Sequence, residues 1–152
     1  MRVDVTVDGV AHTAEIDPGE SLMEVLRRLG YKSVKNGCDN GDCGSCTVLL
    51  DGRAVNACLV FAARAAERAV TTVEGFPADA LHPVQEAMLA LGGIQCGFCT
   101  PGMVMLAVDL LRRHPNPTEA QVRDALAGNF CRCTGYVKQV EAILSAAGGG
   151  GG

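Results

Sequence analysis

The sequence predicts an α+β chain: a small twisted sheet crossed by one helix, then a bundle of four short helices. Two observations carry this. Period-two alternation with Asp-Gly turns fills the first ~75 residues, and helical periodicity with capping signals fills the rest. A Gly/Pro segment, Glu74 to Asp79, marks the change and predicts a linker. The expected division is 1–75 for the sheet, 76–147 for the helices and 148–152 for a glycine tail.

Val3, Val5 and Val7 alternate with Arg2, Asp4 and Thr6, the pattern of a strand with one buried face. Asp8-Gly9 is a tight hairpin signal, and Ala11 to Ile16 pairs back. Pro18-Gly19 ends that strand. Ser21 with Glu24 forms a capping box, and Leu22, Val25, Leu26 and Leu29 line one helix face before Gly30 stops it. Asn36 to Cys46 is glycine-rich loop. Thr47 to Leu50 is a short strand, Asp51-Gly52 a second hairpin, and Ala69 to Val73 a last strand. Helical patterns follow at Pro83–Leu91, Pro101–Arg113, Glu119–Ala127 and Val137–Ala146. In the second of these, Met103, Leu106, Leu110 and Leu111 fall on one face. Thr118 with Gln121 is another capping box.

Composition narrows the function. The chain has 152 residues, 48% hydrophobic and 20% charged, with no Trp and a formal charge of −4. It has no Lys/Arg run, so nucleic acid is not an expected partner. No stretch approaches the ~20 apolar residues of a bilayer span, and the N-terminus has no signal-peptide core. A cytoplasmic, reducing setting is expected, in which the eight cysteines read as metal ligands before disulfides.

The cysteines divide into two sets. Cys38, Cys43, Cys46 and Cys58 have the C-x4-C-x2-C spacing of plant-type [2Fe–2S] proteins, with a more distant fourth ligand. Gly37, Gly41 and Gly44 leave room for a loop to wrap a small inorganic core and aim N–H groups at sulfur. Cys96, Cys99, Cys131 and Cys133 form the second set, C-x2-C and C-x-C, each pair at a turn before a helix. Helix N-termini favour an anionic cluster there. Structural zinc is the main rival, since Cys96-x2-Cys99 alone suits it; zinc sites, however, usually pair two C-x2–4-C knuckles. Disulfides and unrelated buried thiols are the other readings. His12, His82 and His114 lie outside both motifs and read as surface or capping residues. Met88, Met103 and Met105 read as core fillers. Phe98 and Tyr136 flank the cysteine turns, where they pack or shield.

Together GCDNGDCGSC, IQCGFCTPGM and GNFCRCTGY resemble the iron–sulfur small subunit of the molybdenum hydroxylases, the xanthine oxidase family. That family includes aerobic carbon monoxide dehydrogenase, aldehyde oxidoreductases, N-heterocycle dehydrogenases and 4-hydroxybenzoyl-CoA reductase. The resemblance runs from Val3 to about Ala147. It implies a ferredoxin-like β-grasp domain followed by a four-helix bundle. It implies two [2Fe–2S] clusters: one on Cys38, Cys43, Cys46 and Cys58 nearer a flavin, one on Cys96, Cys99, Cys131 and Cys133 nearer molybdenum. Gln95 and Cys133 match positions that approach the pterin. The implied partners are a large subunit carrying molybdopterin, as the cytosine dinucleotide, and a medium subunit carrying FAD, in a dimer of heterotrimers. Asp39, Asn40 and Ser45 depart from the usual residues without touching the ligands. The implied role is electron transfer within a molybdenum oxidoreductase; a free-standing two-cluster carrier or redox sensor, and a zinc-stabilised interaction module, are the alternatives.

Overall fold

Alternating valines can bury one face only if a partner strand and a helix cover them. In the computed structural model, which describes residues 1–148, both do. Strand β1 (Arg2–Val7) pairs antiparallel with β2 (Val10–Glu15), Val5 opposite His12. The turn between them is the expected Asp8-Gly9, both at positive φ (51° and 80°), as the right-handed strand twist prefers. Helix α1 (Leu22–Arg28) starts at the reciprocal Ser21–Glu24 capping box. It lays Leu22, Met23 and Leu26 against Val5, Val7, Val48, Leu50 and Val70.

Strand β3 (Thr47–Leu50) turns at Asp51-Gly52 into β4 (Arg53–Asn56). Strand β5 (Ala69–Thr71) completes a sheet of order β2-β1-β5-β3-β4, parallel to β1 and antiparallel to β3. β5 is shorter than its apolar run suggests. The Asp8 carboxylate accepts from the Thr72 N–H and hydroxyl, both at 2.7 Å. Thr72 then caps a single 3-10 turn, Val73–Gly75, so the backbone leaves the sheet there.

Four helices follow: α2 (Pro83–Ala90), α3 (Thr100–Arg113), α4 (Glu119–Leu126) and α5 (Val137–Gly148). The helix of the expected Val137–Ala146 pattern runs on to Gly148; the rest of the expected glycine tail, 149–152, lies outside the described residues. The one-face pattern read for α3 is too narrow. Met103, Val104, Met105, Ala107, Val108 and Leu110 are all buried, while Leu106 and Leu111 are only partly so. The cause is position: α3 lies between β3 on one side and α2 and α4 on the other. β3 is correspondingly buried on both faces, with Val48 and Leu50 toward α1 and Leu49 in the helical core. Asp109 of α3, 3% exposed, is held by Arg113 at 3.2 Å and by Arg53 of β4 at 3.5 Å. Among the described residues no helix is long and apolar enough to cross a membrane.

The histidines sit where structural roles put them. His12 Nε2 meets the Tyr31 hydroxyl at 2.9 Å, and His114 closes α3. His82 caps α2, its Nδ1 accepting from the Val84 N–H at 3.2 Å. Burial, then nearby Arg112, holds the His82 imidazole below its usual pKa of 6.5. The neutral ring is therefore favoured in the fold, and the unfolded chain takes up the proton first. Stability from this cap is complete above pH 6.5 and falls as acidification protonates the unfolded state. His82→Asn, which caps without titrating, should flatten that part of a Tm-against-pH profile between pH 7.5 and 5.5. An unchanged profile would show that the cap does not titrate.

Candidate metal centres

The first cysteine set is built by the loop between α1 and β3 and by the turn after β4. The loop folds back at positive φ on Asp39 (64°), Gly41 (87°) and Gly44 (68°). This aims the Cys43 N–H at Cys38 Sγ, 3.3 Å away. Asn56 of β4 supports the loop by donating to the Gly41 carbonyl at 2.9 Å. Cys58 follows in the 3-10 turn Ala57–Leu59, and its N–H approaches Cys46 Sγ at 3.5 Å.

The second set joins two loops. Cys96 precedes α3 and Cys99 is the residue at its N-terminus; Cys131 and Cys133 lie between α4 and α5. The Cys131 N–H donates to the Tyr136 hydroxyl at 2.8 Å, which fixes the turn. Tyr136 is thus a buttress of the loop as well as a packing residue. Phe98 is 45% exposed, and its ring lies against the Gly37 side of the first loop.

Each set converges. Cys46 lies within hydrogen-bonding reach of Cys58 and close to Cys43. Cys38 is in reach of Cys43. Cys99 meets Cys131 and lies close to Cys96; Cys133 meets Cys96. All eight are free thiols. They meet in twos, and among the described residues no three Cys, His, Asp or Glu side chains are placed to hold a single metal ion. Paired thiolates suit a core of two irons, each taking two protein sulfurs. The cradle fits as well: a Cβ on Gly37 would stand 2.8 Å from Cys43 Sγ.

The thiols differ in readiness to ionise. Burial works against the Cys38 thiolate, but the N–H groups of Asn40, Cys43 and Asp42 outweigh it and bring the thiol down to about 7. Burial pushes Cys46 and Cys99 up to about 12. Filling either centre would therefore expel protons from buried thiols, coupling binding to proton release.

The two centres are tied together directly. Phe130, next to Cys131, donates its N–H to the Cys43 carbonyl at 2.9 Å. Asn129, 4% exposed, donates its side-chain amide to the Gly44 carbonyl at 3.1 Å. A Cβ on Gly44 would collide with the Gly128 carbonyl and lie 2.7 Å from the Asn129 amide. The structure thus assigns the three loop glycines different roles. Gly37 makes room beside a thiol, Gly41 admits Leu59, and Gly44 admits the helical half.

Two families match the chain: "2Fe-2S iron-sulfur cluster binding domain" over residues 5–71 and "[2Fe-2S] binding domain" over residues 72–144. The nicotine 6-hydroxylase small subunit of Paenarthrobacter nicotinovorans is 46% identical over 149 residues, 97% of this chain and 90% of that protein. The chain belongs to the iron–sulfur small subunits of the molybdenum hydroxylases. The nicotinate dehydrogenase small FeS subunit of Eubacterium barkeri is 40% identical over 140 residues, 91% of this chain and 89% of that protein. The crystal structure of quinoline 2-oxidoreductase from Pseudomonas putida 86 superposes with a TM-score of 0.92 at 37% identity, covering 97% of this chain and 94% of that one. A ferredoxin-like domain followed by a helical domain is the architecture of this small subunit.

Asn129, Thr134 and Gln139 surround these centres without having been singled out from the sequence. Asn129 stood inside GNFCRC, but nothing local says that it reaches Gly44. Gln139 carried a readable signal: it falls on the same helical stripe as Tyr136, Val140 and Ile143, where an apolar residue is expected.

Proposed function

We propose that this small subunit relays electrons, one at a time, between a large subunit bearing molybdopterin and a medium subunit bearing FAD. Its two parts, 1–75 and 76–147, are read as a β-grasp domain and a four-helix bundle, each holding one cluster. Cys38, Cys43, Cys46 and Cys58 would hold the first [2Fe–2S] core; Cys96, Cys99, Cys131 and Cys133 would hold the second. When bound, each core supplies a site that gains and loses one electron.

The observation that carries the reading is the Phe130 N–H to Cys43 carbonyl hydrogen bond of 2.9 Å. It joins a proposed ligand of one centre to the residue beside a ligand of the other, by a path whose single non-covalent step is 2.9 Å. The exposed residues support partners at both ends. Gln95, Cys96 and Cys133 are exposed together, as an approach by a pterin requires. Leu59 and Phe61, 62% and 60% exposed, flank Cys58 at the other centre. A free-standing carrier gains nothing from apolar side chains bared beside its centres, whereas a docked subunit covers them. The soluble-compartment expectation, cytoplasmic, and the dimer of heterotrimers belong to this same reading.

Isolation from the native source tests it. The chain should co-purify with two larger subunits, with four irons and four acid-labile sulfides per copy. On freeze-quench EPR, electrons entering at molybdenum should reach the Cys96 centre before the Cys38 centre. A chain isolated alone, or one containing zinc, would sink the proposal.

A further inference from the structure

Gln139 is the largest polar side chain in the fold that is almost wholly buried, at 1% exposure. Its amide orientation is fixed by one contact. Nε2 lies 2.8 Å from the Gly93 carbonyl, which can only accept, so the NH2 end must face it. The second N–H of Nε2 points to Thr134 Oγ1 at 2.5 Å and to Cys131 Sγ at 3.8 Å. Thr134 Oγ1 is itself 2.9 Å from Cys131 Sγ. Because that oxygen accepts from Gln139, and more distantly from the Tyr136 N–H at 3.5 Å, its own proton is left for the Cys131 sulfur. Gln139 Oε1, meanwhile, is buried with no partner. The fold tolerates an unpaired oxygen here, a cost that a leucine would avoid, and the feature it secures is two donors aimed at one sulfur.

We infer that Gln139 is a positioning residue that raises the reduction potential of the cluster on Cys96, Cys99, Cys131 and Cys133. The inference rests on the proposed ligand role of those cysteines. Reduction of the cluster adds one electron and no proton, and the added negative charge spreads onto the ligand sulfurs. Donors at Cys131 Sγ stabilise that charge more than the oxidised state, so they favour reduction. Gln139 acts mainly through Thr134: it holds the hydroxyl with its proton toward sulfur, and adds a weaker N–H of its own. The cluster facing the exposed Gln95 edge is thereby made the better electron acceptor.

The test is an EPR-monitored titration of the whole complex with dithionite as reductant. In Gln139→Leu the second cluster should assemble fully. At the wild-type midpoint its oxidised-to-reduced ratio should rise about tenfold, a fall of about 59 mV for a one-electron couple. The midpoint of the Cys38 cluster should not move. Thr134→Val should shift the same midpoint in the same direction, Thr134→Ser should restore it, and the double variant should add little to Thr134→Val alone. A second cluster present at full intensity with an unmoved midpoint in Gln139→Leu overturns the inference. If that variant loses its second signal, Thr134→Val decides: an unmoved midpoint overturns the inference, and a fall rescued by Thr134→Ser upholds it. Absence of a second signal in the wild-type complex strikes instead at the ligand assignment, and the inference falls with it.

Discussion

Cys131→Ser should remove one of two EPR signals and leave the plant-type signal at full intensity. The reason lies in how the two sets are housed. Cys131 pairs with Cys99 at the start of α3, and both belong to the helical half. Cys38, Cys43, Cys46 and Cys58 all come from the sheet half. Serine offers a harder oxygen donor with a much higher pKa, and removing one thiolate would leave one iron of the proposed core with a single protein sulfur. Iron should fall from four to two per copy. The loop should also loosen, because the exposed Cys96 and Cys133 would lose the core they are proposed to share. Equal loss of both signals would contradict separate housing. Each signal can be assigned to its centre by the reciprocal change, Cys43→Ser.

Gly44→Ala should be the most damaging single substitution outside the cysteines. The residue has φ +68°, and its new methyl would run into the Gly128 carbonyl and the Asn129 amide. Gly102 blocks retreat on the other side, since it packs on the Gly44 carbonyl. Backbone strain, overpacking and loss of the Asn129 hydrogen bond act together, for a loss on the order of 3 kcal/mol or more. At about 2–4 °C per kcal/mol, the Tm should drop by roughly 6–12 °C. Gly92→Ala is the control: its φ is +71°, but open space surrounds it, so it carries backbone strain alone. Its cost should be about 1 kcal/mol. If the two variants melt together, the contact between the halves contributes nothing. The Gly44 variant should also slow transfer between the clusters, because the Phe130–Cys43 bond lies one residue away on each strand of the contact.

Local chemistry was legible in the sequence, and pairing across distance was not. The Ser21–Glu24 and Thr118–Gln121 boxes form as read, because a cap is decided within four residues. Asp8-Gly9 and Asp51-Gly52 turn as read, because only their own φ values matter. The cysteines of each set lie near one another, because spacing constrains loops. Nothing in Ala69–Thr71, by contrast, says that it lies between β1 and β3, parallel to one and antiparallel to the other. The all-round burial of α3 was hidden for a related reason: its second apolar face answers Leu49, a residue more than fifty positions upstream in the chain. Gly44 and Gln139 show the same limit within the site. Gly44 stands inside the first cysteine motif and Gln139 three residues past the last, but their partners, Gly128 with Asn129 for the one and Gly93 for the other, come from distant loops.

The double-sided burial of β3 bears on how such subunits can be recombined. A strand that turns Val48 and Leu50 one way and Leu49 the other belongs to two interiors at once. A hybrid that joins the first half of this subunit to the second half of a distant relative inherits a mismatched wall, with Leu49 set against side chains chosen for another neighbour. Viable chimeras should therefore exchange β3 together with α3, or keep both from one parent, even where the crossover in the chain falls at the linker after Gly75.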